Sequence, residues 1–272
     1  SMRRFAHYDY WSDQVMPSVL SSSGADALMY GMSERSVVEL AKNLKAGKHG
    51  IDAVRDIRGM AYFAPDASDV PFPTVECPSY EQGCESKEDY ARSVKIQYDQ
   101  ADHVRGKAIT QVHGKRVLIQ NPPSKPLTTE EMDKVYALPF ARTYHPSYDA
   151  VGGVPAIQEV QFSIIHNRGC FGACNFCALA FHQGRYISAR SHDSVVHEAE
   201  QIAQHPDFKG YIHDVGGPTA NFRFPSCHHQ EKHGLCMNKR CLFPKACDNL
   251  EADHRDYLSL LRKLRQVPGV KK

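Results

Sequence analysis

The sequence predicts an α/β protein whose character changes near residue 155. Three observations carry this. From Gly24 to Tyr136, strand-length apolar runs alternate with stretches of helical periodicity that open on capping residues. From Val160, a strand, a loop rich in glycine and cysteine, a helix and a second strand follow in βαβ order. That order implies parallel strands with ligands at their C-terminal ends. Finally, 9 cysteines and 15 histidines are a heavy load of metal-ligating side chains for 272 residues.

Taken in chain order, Ala25 to Tyr30 is a run of strand length. Ser33 is placed to cap a helix carrying Val37, Val38, Leu40, Ala41 and Leu44, with Gly47 near its end. Met60-Ala61-Tyr62-Phe63 reads as the next strand, and Pro65 to Gly83, rich in Pro and Asp, reads as loop. Ser86 and Asp89 resemble a capping box for a helix to about His103. Ala108–Val112 and Arg116–Ile119 flank His113-Gly114-Lys115, a hairpin signal ended by Asn121-Pro122-Pro123. Thr128-x-x-Glu131 caps a further helix, and Tyr144 to Pro155 is a connector.

The expected boundary lies in Val151-Gly152-Gly153-Val154-Pro155, giving segments 1–155 and 156–272. Beyond it, Val160 to Ile165 alternates as a strand does. Ser191 caps a helix with Val195, Val196, Ala199 and Ile202 on one face, and Phe208 to Val215 reads as a second strand ending at Gly216-Gly217-Pro218. A last helical run covers Asp256 to Arg265. Ser1 opening directly into an aromatic string, and Val270-Lys271-Lys272 following a helix, suggest a piece of something longer.

Composition narrows the function. With 33 Lys and Arg against 31 Asp and Glu, the formal charge is +2, which leaves no electrostatic footprint for nucleic acid and no polybasic membrane anchor. No apolar run has the length of a membrane span, and Ser1-Met2-Arg3-Arg4-Phe5 lacks the apolar region of a secretory signal. A cytoplasmic setting is expected, where clustered thiols bind metal or do chemistry more often than they form disulfides. No Ser-His-Asp order or phosphate-binding loop appears.

Cys170, Cys174 and Cys177 stand at C-x-x-x-C-x-x-C spacing straight after the predicted strand. Three thiolates on one loop can hold three corners of a cubane [4Fe–4S] cluster, leaving one iron open for chemistry. Gly169 and Gly172 give the backbone freedom to wrap closely, and Phe176 is placed to shield one side from water. A zinc site with His166 or His182 as fourth ligand, or uninvolved thiols, are the competing readings.

These residues also carry a resemblance. Cys170-x-x-x-Cys174-x-Phe176-Cys177 after a strand looks like the signature of radical S-adenosylmethionine (SAM) enzymes. Three blocks narrow it: Arg3 to Asp13, Phe181 to Arg185, and Asp214 to Asn221 are similar to the YgiQ family of radical SAM proteins. The resemblance implies an N-terminal α/β segment followed by the start of a partial TIM-like (βα) barrel, with the cluster at the mouth of its first strand. It implies a [4Fe–4S] cluster whose open iron chelates SAM, and reductive cleavage to methionine and a 5′-deoxyadenosyl radical that takes a hydrogen atom from an unknown small-molecule or macromolecular substrate. A one-electron donor protein such as flavodoxin or ferredoxin is implied with it.

Gly216 and Gly217 stand where the family superset has a glycine-rich motif that holds the methionyl amino group, but Pro218 occupies the place where many members have Glu. Only two or three βα units fit between Val160 and Lys272, so a closed barrel is not expected. The alternative from another class is a non-catalytic iron–sulfur or zinc-binding module. A cobalamin-assisted methyltransferase is a further possibility, although the segment shows no Asp-x-His-x-x-Gly motif.

Cys227, Cys236, Cys241 and Cys247, with His228, His229 and His233 among them, could hold an auxiliary cluster or zinc, or be free loop thiols. Cys77 and Cys84 read as incidental. Tyr8, Tyr10 and Trp11 are expected to pack on the next helix or to bind a base. Arg185 and Arg190 either neutralise the charge of cluster and SAM or are solvated.

Overall fold

The computed structural model describes residues 2–218 and 222–272. The chain forms two compact units, one made of Ser1–Pro126, Ala173–Arg185 and His229–Lys239, the other of Leu127–Gly172, Tyr186–His228 and Arg240–Lys272.

The first unit begins with the hairpin β1 (His7–Asp9) and β2 (Gln14–Met16), then a short helix α1 (Val19–Ser23) capped by Ser18. Its centre is a five-stranded sheet in the order β3-β4-β7-β6-β5, antiparallel except for the β5–β6 pair. The strands are β3 (Ala27–Met29), β4 (Met60–Ala64), β5 (Thr74–Glu76), β6 (Ala108–His113) and β7 (Arg116–Gln120). Helices α2 (Glu34–Lys45), α3 (Ile51–Val54), α4 (Tyr80–Glu85) and α5 (Lys87–Asp99) cover it.

The period of two is visible in β4. Met60, Tyr62 and Ala64 pack with Ala53, Val54 and Ile57 on one face, whereas Ala61 joins Phe5, Leu20, Ile109 and Leu118 on the other. A sheet covered on both faces explains why its strands read as continuous apolar runs.

Two expectations here need correction. Pro65 to Gly83 is not all loop, because β5 pairs along the edge of β6 and α4 starts at Tyr80. The Ser79 hydroxyl and the Gln82 side chain complete a full capping box for α4, a signal that was present in the sequence. α5 ends at Asp99 rather than near His103, since the buried Asp102 carboxylate accepts the backbone N–H groups of Val104 and Arg105 and so competes with helical bonding.

The second unit contains α6 (Thr129–Tyr136), opened by the expected Thr128/Glu131 capping box, and a single turn α7 (Ile157–Val160). It continues through β8 (Ser163–Ile165) and β9 (Asn167–Arg168). α8 (Leu179–Gln183) follows in a segment of the first unit, and then β10 (Ser188–Ala189), α9 (His192–Ala203) and β11 (Asp214–Gly216). α10 (His228–His233) and α11 (Arg255–Leu264) complete the chain.

β8 and β11 are parallel and joined through α9, the βαβ unit the sequence predicts. Phe162, Ile164, Val195, Ala199, Ile202, Leu260, Leu264 and Val267 form its core. Both strands are shorter than expected. Val160 closes the α7 turn, and Phe208 and Ile212 contribute to the core from outside any strand. Apolar side chains can fill a core without ladder pairing, so apolar length overstated the strands. Between Val160 and Lys272 the described residues hold one parallel strand pair, fewer than the two or three units expected. The architecture is α/β, an N-terminal segment leading into the start of a (βα) barrel.

Candidate metal centre

β8 and β11 end together, with Gly216 opposite Ile165 in register. The His166 N–H then donates to the Gly216 carbonyl at 2.9 Å, carrying the pairing one residue further. His166 is buried with its ring 5.0 Å from that of Tyr257, whose hydroxyl donates to the Val215 carbonyl at 2.8 Å. The C-terminal ends of the two parallel strands are therefore tied to each other and to α11.

The cysteine loop leaves from this point. Its base is closed by the antiparallel pairing of Asn167 with Ala189 and Arg168 with Ser188. Gly169 has φ +87°, and a Cβ there would lie 1.9 Å from the Tyr186 carbonyl oxygen, so the loop closes only around glycine. Phe171 is buried against Phe222, with centroids 5.0 Å apart. Ala173 has φ 48°, a left-handed conformation costly for a residue with a Cβ.

Cys177 donates its N–H to the Cys174 carbonyl at 3.1 Å, so these two thiols sit on one tight turn. Cys170 and Cys177 are half-buried and Cys174 is exposed. Phe176, the expected shield, is 93% exposed. Among the described residues, no three His, Cys, Asp or Glu side chains stand at metal-ligand spacing. The division between the compact units falls inside this loop, with Cys170 in the second and Cys174 and Cys177 in the first.

Gly216 and Gly217 behave differently. A Cβ on Gly216 would meet only the carboxylate of Asp214, whereas one on Gly217 would lie 1.8 Å from Asn167 Oδ1 and 2.9 Å from the Asn167 carbonyl. Gly217 is thus required by the close passage of β9. The remainder of that sequence block, Thr219 to Asn221, lies outside the described residues.

Arg190 fits neither expectation. It is 1% exposed, donates to the carbonyls of Ile165 and Ser194 at 2.9 Å each, and pairs with Glu198. Its guanidinium also lies 4.2 Å from the Tyr136 ring centroid. Glu198 is shared with Arg142 at 2.5 Å. Arg190 is therefore a buried tie between β8 and α9, its charge already met by a carboxylate. Arg185 is also buried rather than solvated, 5.5 Å from the Tyr98 ring centroid within the first unit.

A second tie holds α11. Asp256 pairs with Arg223 and with His192 at 3.0 Å, and Arg223 donates to the Arg190 carbonyl at 2.6 Å. Burial pushes the Asp256 carboxyl up, but the hydrogen bonds from Arg223 and His192 outweigh it and hold it below its usual range. Sequence reasoning missed Asn167, Glu198, Arg223 and Asp256, because nothing local marks a long-range partner.

The remaining candidates are placed plainly. Burial pushes the Cys77 thiol up to about 11, which keeps it protonated and fits an incidental role. Cys84 is exposed, its Sγ 3.7 Å from the Val15 carbonyl. Tyr10 and Trp11 are 79% and 90% exposed, their rings 6.0 Å apart, so neither is buried against the next helix. Cys227, Cys241 and Cys247 are half-buried in the second unit, while Cys236 is exposed in a segment of the first.

Residues 1–163 match the family model described as Radical SAM N-terminal. The chain belongs to this family. Its curated relatives include the UPF0313 protein of Clostridium botulinum (strain ATCC 19397 / Type A), 56% identical over the whole of this chain and 42% of the relative. The UPF0313 protein of Clostridium perfringens (strain ATCC 13124) is 51% identical over the whole chain and 41% of the relative. UPF0313 is the YgiQ family, and the chain spans 42% of the length of the first of these relatives. The chain is thus a radical SAM superfamily member, and family membership points to an enzyme. No helix among the described residues is long and apolar enough to cross a membrane.

Proposed function

We propose that Cys170, Cys174 and Cys177 hold a [4Fe–4S] cluster with one open iron, and that the whole protein is a radical SAM enzyme. The observation that supports this most strongly is the position of the three-thiol loop. It departs where two parallel strands end together, which is where α/β folds bind ligands. The donor set suits the group as well: three soft thiolates match iron–sulfur chemistry and leave one metal position unfilled. When bound, the cluster supplies the electron that splits SAM into methionine and a 5′-deoxyadenosyl radical.

The chain's own residues perform the holding. Gly169 lets the loop fold back on Tyr186, and the β9–β10 pairing fixes its two ends. Phe171, directly after Cys170, is buried in the second unit's interior and anchors that end of the loop. Gly217, packed against Asn167, brings backbone rather than side chain to the rim of β11, where the methionyl amino group of SAM is to be received. Pro218 brings no carboxylate, so that reception rests on backbone oxygens. Phe176, exposed beside Cys177, would be available to cover the solvent side of the cluster. A flavodoxin- or ferredoxin-type donor supplies the electron, and an oxygen-labile cluster fits the reducing cytoplasm.

The test is anaerobic reconstitution followed by iron and sulfide counting. Cys174→Ala should remove four irons and four sulfides per chain relative to the unsubstituted protein. In the full-length protein, dithionite reduction with SAM should release 5′-deoxyadenosine, and Cys174→Ala should abolish it. Zinc at the three thiols, with no iron taken up, would assign the loop to a non-catalytic metal-binding module instead.

A further inference from the structure

From residue 234 to residue 254 the chain has neither helix nor strand. Its stretch from 240 to 254 lies in the second unit, and an irregular segment of that length inside a compact unit is uncommon, and is usually functional or tied by something other than a core. In that stretch the large apolar side chains after Cys241 do not tie it, since Leu242 and Phe243 are 46% and 65% exposed. Small cysteine-rich segments that cannot build a core are commonly stapled by metal.

Among the described residues no three metal-ligating side chains stand at ligand spacing, but polar contacts already link the chain segments that carry the cysteines of the second unit. The Cys247 N–H donates to the Cys241 carbonyl at 2.8 Å, closing the turn between them. Cys241 Sγ lies 3.3 Å from the Ser226 hydroxyl, and the Glu251 N–H donates to the Ser226 carbonyl at 2.9 Å. Ser226 is 1% exposed and precedes Cys227. Three half-buried cysteines thus stand on chain segments pinned around one buried serine. Between Cys236 and Cys247 the sequence carries Lys239, Arg240 and Lys245 and no Asp or Glu. Cations in such number offset the charge of a thiolate-ligated metal.

We propose that Cys227, Cys241 and Cys247 ligate a second, thiolate-bound metal centre, zinc or an iron–sulfur cluster, separate from the Cys170–Cys177 loop. The last approach of the ligands accompanies metal binding, as in small metal-stapled domains generally. A closed centre here draws Leu242 and Phe243 out of solvent and gives the 240–254 segment of the second unit its fixed path. Sequence offers a further donor directly after Cys227, at His228 in the same unit.

The experiment uses the full chain carrying Cys170→Ala, Cys174→Ala and Cys177→Ala together, so that failure of the first cluster cannot mask or mimic the second. It is produced anaerobically with iron and zinc supplied, and its metal is measured by mass spectrometry. The expected result is about one zinc, or an iron–sulfur cluster with its charge-transfer absorption, per chain. Adding Cys241→Ala and Cys247→Ala should lower that metal to background. Because those changes could disturb folding, thiol reactivity is measured in the triple variant alone. Three thiols should be slow to react until a chelator strips the metal. Metal content equal to that of the five-fold variant, or thiols whose reactivity ignores the chelator, would overturn the proposal.

Discussion

The two units reach order by different routes. The first closes a five-stranded sheet between two apolar layers, and among its largest fully buried side chains Tyr62, Ile109, Leu118 and Ile119 come from three adjacent strands. The second has strands of two or three residues and a smaller core of α9 and α11 against β8 and β11. It relies instead on a buried charge pair, Arg190 with Glu198, and a half-buried one, Arg223 with Asp256, to hold the strand ends from which the cysteine loop leaves. A packed sheet needs no ligand to be complete. A site that must close on a metal is better served by directional polar ties around its base.

That contrast can be broken, and the largest effect should come from the ties. Glu198→Ala leaves Arg190 and Arg142 without their carboxylate in a buried position and should cost about 3–5 kcal/mol by denaturant unfolding. Replacing all three partners, Arg190→Met and Arg142→Met with Glu198→Leu, should recover most of that loss, because burying the charges is itself costly. If the single variant unfolds at the same denaturant concentration as the parent protein, the ties are ornamental and the contrast fails.

In the first unit the matching change is Leu118→Ala, at a fully buried position between strands. It should cost about 2–5 kcal/mol through lost burial and a cavity, while metal content is unaltered. Smaller again is Thr128→Ala, which removes the capping hydrogen bond to the Glu131 N–H at 3.2 Å and should cost about 1 kcal/mol in unfolding.

The smallest effect sharpens the account through pH. Burial holds the His113 imidazole down to about 4, against an ordinary 6.5. As pH falls, the unfolded chain therefore takes up this proton before the folded one does. The contribution is complete above about 6.5 and is lost progressively towards about 4. Thermal unfolding followed across that range should show His113→Gln with a shallower slope than the parent protein. Asp256 acts in the same direction at lower pH, since its carboxyl is held below its usual range and its contribution fades as it protonates.

How much of this was legible follows the same contrast. Helices announce themselves locally: the Thr128/Glu131 and Ser191 caps, and the face of Val195, Ala199 and Ile202, are where the sequence places them. The long strands of the first unit were readable for the same reason, as runs apolar on both faces. The three-residue strand β5 was not, since its pattern is exposed at both ends and only its neighbour β6 defines it. Cysteine spacing made the candidate loop visible at once. The partners that hold its base were invisible, because Arg190 meets Ile165 and Glu198, and Gly217 meets Asn167, only after the chain has folded.

The most direct test of the open-iron cluster is electron paramagnetic resonance of the reconstituted, reduced protein, recorded with and without SAM, beside Cys174→Ala. The account predicts a [4Fe–4S] signal whose shape changes when SAM is added and which is missing from the variant. A signal indifferent to SAM and equally strong in Cys174→Ala would contradict it.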